Sequence, residues 1–174
     1  NNKINKKGCG NMKRRKLLSL LVAAAMVLSL LPMSALAAEG TEGTMTQAAL
    51  EAEIAAVPAG GTVTLTGNVD VTAPIIITKE LTLDLNGKTI LNSGDIWNEA
   101  EYDWSLISVR AGGDLTITGN GTLQAKENDC YAVDVMDGGI CTIENGTFDG
   151  NIHAVYVREG TLVVNDGRFS VQQK

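Results

Sequence analysis

The sequence predicts an all-β fold, a coiled β-solenoid, from three observations: short strand-like runs, a repeat of those runs, and a repeat period in the low twenties. From Gly61 onward, Val63-Thr-Leu65, Ile75-Ile-Ile77, Leu81-Thr-Leu83-Asp-Leu85 and Leu115-Thr-Ile117 alternate or run apolar. Thr, Val and Ile dominate them, and Gly, Asn and Asp punctuate them, which is strand chemistry.

The runs then repeat. Ile107-Ser-Val109 leads through Gly112-Gly113 to Leu115-Thr-Ile117. Val133-Asp-Val135 leads through Gly138-Gly139 to Cys141-Thr-Ile143, and Val155-Tyr-Val157 leads through Gly160 to Leu162-Val-Val164. A second Gly turn follows each: Gly119-Asn-Gly121, Asn145-Gly146 and Asp166-Gly167. Val133 follows Ile107 by 26 and Val155 follows Val133 by 22. Such a period belongs to solenoids, in which one thin apolar stripe per unit is buried only by stacking. A leucine-rich repeat is disfavoured because its L-x-x-L-x-L pattern and helix are missing. A sandwich of hairpins is the competing topology. Stacking predicts four interior columns: Ile107/Val133/Val155, Val109/Val135/Val157, Leu115/Cys141/Leu162 and Ile117/Ile143/Val164. Asn86, Asn145 and Asp166 are expected to line up as turn residues, since Asn and Asp accept left-handed backbone.

A solenoid needs closed ends. Residues 46–58 are expected to cap the first one as a helix. Thr46 stands at an N-cap, Met45 and Leu50 at hydrophobic-staple positions, and Leu50, Ile54 and Val57 make an apolar stripe before Pro58. Residues 38–45 read as a linker and 59–174 as the repeats. The last strand stops at Lys174 in mid-repeat without a visible cap, so the chain reads as a fragment truncated at its C-terminus.

Residues 12–37 read as a secretory signal peptide. Lys13, Arg14, Arg15 and Lys16 form a positive start, Leu17 to Leu31 an apolar run, and Ala35-Leu36-Ala37 a small-x-small exit with Ala38 after the cut. The run falls short of the roughly 20 residues a membrane-crossing helix needs. Residues 1–11 read as an upstream extension before Met12. The first 37 residues hold seven of the 14 Lys+Arg and none of the 20 Asp+Glu. The remainder therefore sets 7 basic against 20 acidic residues, a balance of −13. That balance argues against nucleic acid and against anionic membranes as partners. No membrane segment is expected after cleavage, the expected location is extracellular or on the cell wall, and the expected state is monomeric.

Beyond Cys9, the cysteines are Cys130 and Cys141. Both fall where other repeats carry apolar residues, so they read as small hydrophobes, although an exported protein could pair them. No CxxC or Cys/His cluster has zinc spacing. The sole histidine, His153, has no second His beside it for a two-histidine mechanism.

Several stretches together carry a resemblance. The helix at Thr46–Val57, then Pro58-Ala-Gly-Gly-Thr-Val-Thr-Leu65, Leu81-Thr-Leu-Asp-Leu-Asn-Gly-Lys-Thr-Ile90, Leu115-Thr-Ile-Thr-Gly-Asn-Gly-Thr-Leu123 and the Gly-Thr-Phe turn resemble right-handed parallel β-helix proteins of the pectate lyase-like superfamily. They are most similar to exported repeat proteins of Gram-positive gut bacteria. The resemblance spans about residues 46–174 and implies a fold far more than an activity, because this fold hosts many chemistries. The family's Asn-Thr-Asp, Asp-Asp, Gly-His-Gly and Arg-Ile-Lys signatures are absent, and His153 sits in Asn151-Ile-His153-Ala.

Two constellations are candidate sites. One is the outward face of the repeats, where Ser108, Asp134 and Tyr156 form one ladder and Arg110, Met136 and Arg158 the next. Its candidates are Arg110, Asp134, Tyr156 and Arg158, read either as a sugar-acid face or as a surface ion-pair cluster. The other is the insertion 92–105, with Trp97, Tyr102, Trp104, Asp95 and Asp103: flat aromatics plus carboxylates suit glycan stacking and hydroxyl recognition. Trp104 aligns with Cys130 and Ile152 and is expected to point inward. No catalytic residue, metal ligand or cofactor is assigned. Calcium is not supported, since one carboxylate at Asp134 is too few for a site of roughly 6–8 oxygens. The expected function is a non-catalytic, adhesin-like surface module contacting an extracellular polysaccharide or a host or matrix glycan. The alternative is the N-terminal part of a polysaccharide lyase or glycoside hydrolase with its site beyond residue 174.

Overall fold

The computed structural model describes residues 43–96, 104–126 and 130–173. The signal segment, residues 1–11 and the start of the expected linker lie outside them, as do Trp97, Tyr102 and Asp103.

One helix, α1 (Gln47–Ala56), precedes the strands. The hydroxyl oxygen of Thr46 accepts the Ala49 N–H at 3.1 Å, satisfying one of the donors that a helix start leaves open. Met45 and Leu50 are both buried, so the staple holds, and Ile54 completes the inward stripe. Thr44 and Met45, at the end of the expected linker, are already attached to the first repeat. Thr44 bridges Asn68 in parallel, and Met45 N–H reaches Asn68 O at 2.7 Å. Two side chains, one of the helix and one from outside it, fasten α1 to the first unit. Gln47 accepts from Thr72 N–H at 2.8 Å and donates to Ala73 O at 2.9 Å. Lys79 Nζ donates to Val57 O at 2.6 Å, a cation placed on the carbonyl end of the helix.

The strands come in threes. The first unit is β1 (Gly61–Thr64), β2 (Val69–Asp70) and β3 (Ile75–Ile77). The second is β4 (Glu80–Asp84), β5 (Thr89–Leu91) and β6 (Ser105–Val109), and the third β7 (Asp114–Thr118), β8 (Thr122–Gln124) and β9 (Tyr131–Met136). Then follow β10 (Ile140–Ile143), β11 (Thr147–Gly150) and β12 (Val155–Arg158), and last β13 (Thr161–Val164) and β14 (Arg168–Val171). Every third strand pairs in parallel. The sheet orders are β1-β4-β7-β10-β13, β2-β5-β8-β11-β14 and β3-β6-β9-β12. The hairpin sandwich would need antiparallel neighbours, and all described strand pairs are parallel.

The register matches the expected columns. Ile107, Val133 and Val155 are successive partners, as are Val109, Val135 and Val157. Leu115 meets Cys141 and then Leu162, and Ile117 meets Ile143 and then Val164. Ile107, Val109, Leu115, Ile117, Val133, Val135, Cys141 and Ile143, with Leu83, Leu85, Ile90, Leu123 and Phe148, form one apolar core; Val155 and Leu162 are partly buried against it, whereas Val157 and Val164 at the ends of their columns are exposed. The turns between strands use left-handed backbone at Asn86 (φ 47°), Asp137 (φ 55°) and Glu159 (φ 60°). Of the turn residues expected to share it, only Asn86 does: at the Asn145 and Asp166 turns the following Gly146 and Gly167 take the positive φ, at no steric cost. Gly139 is needed for close approach rather than for φ: a Cβ there would press on the Val109 carbonyl of the unit before it. Cys130 and Cys141 are both buried thiols, and Cys141 sits in the Leu115 column.

Candidate functional site

One residue of the insertion, Trp104, meets the outward-face candidates on one face. On the β3-β6-β9-β12 sheet, opposite the core, a concavity of about 190 Å³ is lined by Trp104, Tyr131, Asp134, Met136, Tyr156 and Arg158. Asp134, Tyr156 and Arg158 come from the expected outward face, and Trp104 comes from the insertion. The register explains the first three: Asp134 is the partner of Tyr156, and Met136 that of Arg158.

Why Tyr131 joins them is a matter of strand geometry. Plain alternation along β6 and β9 would put Ser105 and Tyr131 inside with Ile107 and Val133. Instead Leu106 and Ile107 are both in the core, as are Ala132 and Val133. The inward-facing residue is doubled, so Ser105 and Tyr131, next before it, change side. Tyr131 turns outward onto Tyr156, and Trp104 ends beside Tyr131 with ring centroids 6.2 Å apart. The expectation that Trp104 points inward is corrected: although Cys130, at the equivalent position of the next unit, is in the core, Trp104 is half-buried and lines the outer concavity against Tyr131.

The result is an aromatic ledge. Tyr131 and Tyr156 stack at 5.1 Å with 30° between their planes. His153 meets Tyr131 edge-on at 5.2 Å and Tyr156 at 5.7 Å. Aromatic pairs at such separations add roughly 0.5–1.5 kcal/mol beyond their burial, so the ledge is stiff. Tyr131 is the buried centre, and Trp104 and Tyr156 are the half-open flanks. Under the rings lies Asp134, only 1% exposed, whose Oδ2 accepts from Ser105 Oγ at 3.0 Å. Buried carboxylates need such partners, because desolvation costs several kcal/mol. Ser108, beside Asp134 in register, accepts from Arg110 Nε at 3.1 Å. The outward ladder is thus covered at two of its three members, Ser108 at 0% and Asp134 at 1% exposed, and half-open at Tyr156.

The remaining candidates fall elsewhere. Arg110 touches the strand behind the concavity without lining it. Asp95 pairs with Lys126 at 2.9 Å on a well-exposed surface, where an ion pair contributes little. Trp97, Tyr102 and Asp103 lie outside the described residues.

Sequence reasoning missed Tyr131 and set His153 aside. The available signal was the paired apolar residues Leu106-Ile107, Ala132-Val133 and Ala154-Val155 at one repeat position. Two apolar neighbours where one is expected mark a bend that swings the preceding residue outward.

Among the described residues no group of three or more His, Cys, Asp and Glu side chains is placed to hold a metal ion. Among them also, no helix is long and apolar enough to cross a membrane. Burial, with a smaller push from the Asp114 carboxylate, raises the Cys141 thiol to about 12. That thiol is a packing group, far too poor an acid to serve as a nucleophile. No protein-family model, curated protein or solved structure matches the chain.

Proposed function

We propose that this chain is an exported right-handed parallel β-helix whose aromatic ledge contacts an extracellular glycan without transforming it. The parallel pairing of every third strand supports the β-helix, and the strong preference of parallel crossovers for one hand supports its handedness. The signal-like segment 12–37 supports export to the cell surface or medium. The single observation that carries the function is the ledge itself: Trp104, Tyr131 and Tyr156 beside Asp134 and Arg158 around one concavity. Aromatic faces stack on the C–H surfaces of sugar rings, a carboxylate accepts from hydroxyls, and a guanidinium donates in a planar fork. Rigid rings holding a few polar groups are how a binding site gains orientation without large entropic cost.

The test is retention on a glycan array of the secreted chain and of Trp104→Ala, Tyr156→Ala and Arg158→Ala. Each substitution is expected to weaken retention of the preferred glycan about ten-fold, ~1.4 kcal/mol. Lys126→Ala, on the surface away from the ledge, is expected to leave it unchanged. Equal retention by all three ledge variants would sink the reading. So would release of unsaturated or shortened product from a retained polysaccharide.

A further inference from the structure

We propose that Asp166-Gly167 is a self-modifying site, at which the folded chain closes a succinimide and reopens it as isoaspartate. The reaction needs a side-chain carboxyl, a following nitrogen held beside it in contact with water, and no Cβ on the following residue. Three Asp-Gly pairs are described: Asp137-Gly138, Asp149-Gly150 and Asp166-Gly167.

The three pairs differ in where their polar groups are spent. Asp149-Gly150 lies inside β11, with Gly150 buried. Its carboxylate accepts from Ser170 Oγ at 3.0 Å and from Gln172 Nε2 at 3.2 Å. Asp137 and Gly138 are exposed, but the Gly138 N–H donates to Glu159 O of the next unit at 2.5 Å. Asp166 and Gly167 are exposed too, and there the Gly167 N–H donates to Asp166 Oδ1 at 2.7 Å. An oxygen held that close brings Cγ, the carbon that bears it, against the nitrogen that must attack it. That is a near-attack arrangement, and proximity of this kind removes much of the entropic part of a barrier.

The turn holds the arrangement from both sides. Asn165 N–H reaches Ile143 O at 2.9 Å, and Arg168 N–H reaches Gly146 O at 2.8 Å. Asn165 Nδ2 adds a bond to Glu144 Oε1 at 2.9 Å. Asp166 and Gly167 span the gap between these clamps. Gly167 takes φ 133°, a conformation that residues with a Cβ rarely adopt, so the turn itself disfavours the side chain that would slow the attack.

The chemistry balances with water alone. The Gly167 nitrogen bonds to Cγ of the protonated Asp166 carboxyl, its proton passes to a carboxyl oxygen, and one oxygen leaves as water. A second water then opens the ring. Attack at Cγ restores aspartate, and attack at the main-chain carbonyl gives isoaspartate. Nothing is oxidised or reduced, and the composition is unchanged. The isoaspartyl product lengthens the backbone by one methylene between β13 and β14, just before Phe169.

The experiment is peptide mapping by mass spectrometry after incubating the chain in mildly acidic heavy-oxygen water, folded and in urea. Fragmentation that separates aspartyl from isoaspartyl peptides reads the product. In the folded chain Asp166 is expected to take up heavy oxygen and form isoaspartate several-fold faster than Asp137 or Asp149. In urea the three rates are expected to converge, because the clamps are gone. Asp166→Glu moves the carboxyl one methylene out of five-ring reach at an exposed position, and is expected to leave that peptide unlabelled. Conversion of Asp137 or Asp149 as fast as Asp166 in the folded chain overturns the proposal. So does an Asp166 that stays unlabelled when folded, or a lead over the other pairs that persists in urea.

Discussion

Phe148 and Phe169 are the same side chain in the same column, one unit apart. They stack at 5.2 Å with 14° between their rings, and their strands β11 and β14 pair in register. Yet Phe148 is 0% exposed and Phe169 is 40% exposed. The contrast extends to whole regions. The first unit is closed by α1, with Leu50 fully buried and Ile54 and Met45 nearly so. At β13 and β14, Val164 is 48% exposed and Val171 52%. Identical apolar chemistry is core in one place and surface in the other, because burial in a stacked fold comes from the next layer and not from the strand itself.

The largest effect that probes this contrast is Phe148→Ala, expected to cost ~3–5 kcal/mol as a cavity in a packed core. Phe169→Ala, with a side chain still partly in water, is expected to cost about 1.5 kcal/mol or less, since burial energy scales with area removed from water. Urea titration of the two variants measures the difference, and equal midpoints would break the comparison. Next in size is Leu50→Ala, expected to cost ~2–5 kcal/mol. Its loss is expected to loosen the first unit before the rest, read as faster amide exchange at Val63 and Leu65 than at Leu115 and Ile117. Uniform exchange across the units would mean that the cap is not a separate closing layer.

The columns were legible in the sequence because stacking repeats one pattern, and repetition amplifies a weak signal. Leu115-Thr-Ile117 alone is any strand, but set beside Cys141-Thr-Ile143 and Leu162-Val-Val164 it fixes a register. Thr46, Met45 and Leu50 were legible because capping and stapling act over a few neighbouring residues. The ledge was half legible. Asp134, Tyr156 and Arg158 follow from alternation, and alternation holds from Ile107 and Val133 onward. Tyr131 lies just before the doubled apolar pair, where alternation fails, and its side is set by where the strand bends, a tertiary choice that a two-residue period does not encode. Trp104 lines the outer concavity although Cys130, at the equivalent position, is core, and no pattern along the strand announces that. Asp134 read as an exposed ladder residue because position on a strand reports facing, and facing alone does not report what covers the face.

A smaller effect tests the cap itself. Thr46→Ala removes the oxygen that accepts from Ala49 N–H and is expected to cost about 1 kcal/mol. Thr46→Ser keeps the acceptor and is expected to restore most of it. The pair distinguishes the hydrogen bond from the packing of Met45 and Leu50 around it.

The smallest effect at neutral pH grows only in alkali, and it concerns Cys141. In the unfolded chain its thiol ionises near the ordinary 9.0, whereas in the folded chain burial, helped by Asp114, holds the proton up to about 12. Between those values the folded state binds more protons than the unfolded state, so stability falls as pH rises. Below 9.0 both states are protonated and the group contributes no slope. Lysines and tyrosines titrate in the same alkaline window, but they do so in wild type and variant alike. The difference between wild type and Cys141→Ala therefore isolates this thiol. The variant is expected to be less stable at neutral pH, from the shortened side chain in the Leu115 column, and to lose stability less steeply above 9.0. Parallel pH profiles for the two proteins would show that the site admits water, which would place the Cys141 column with the open β13–β14 region and not with the closed core.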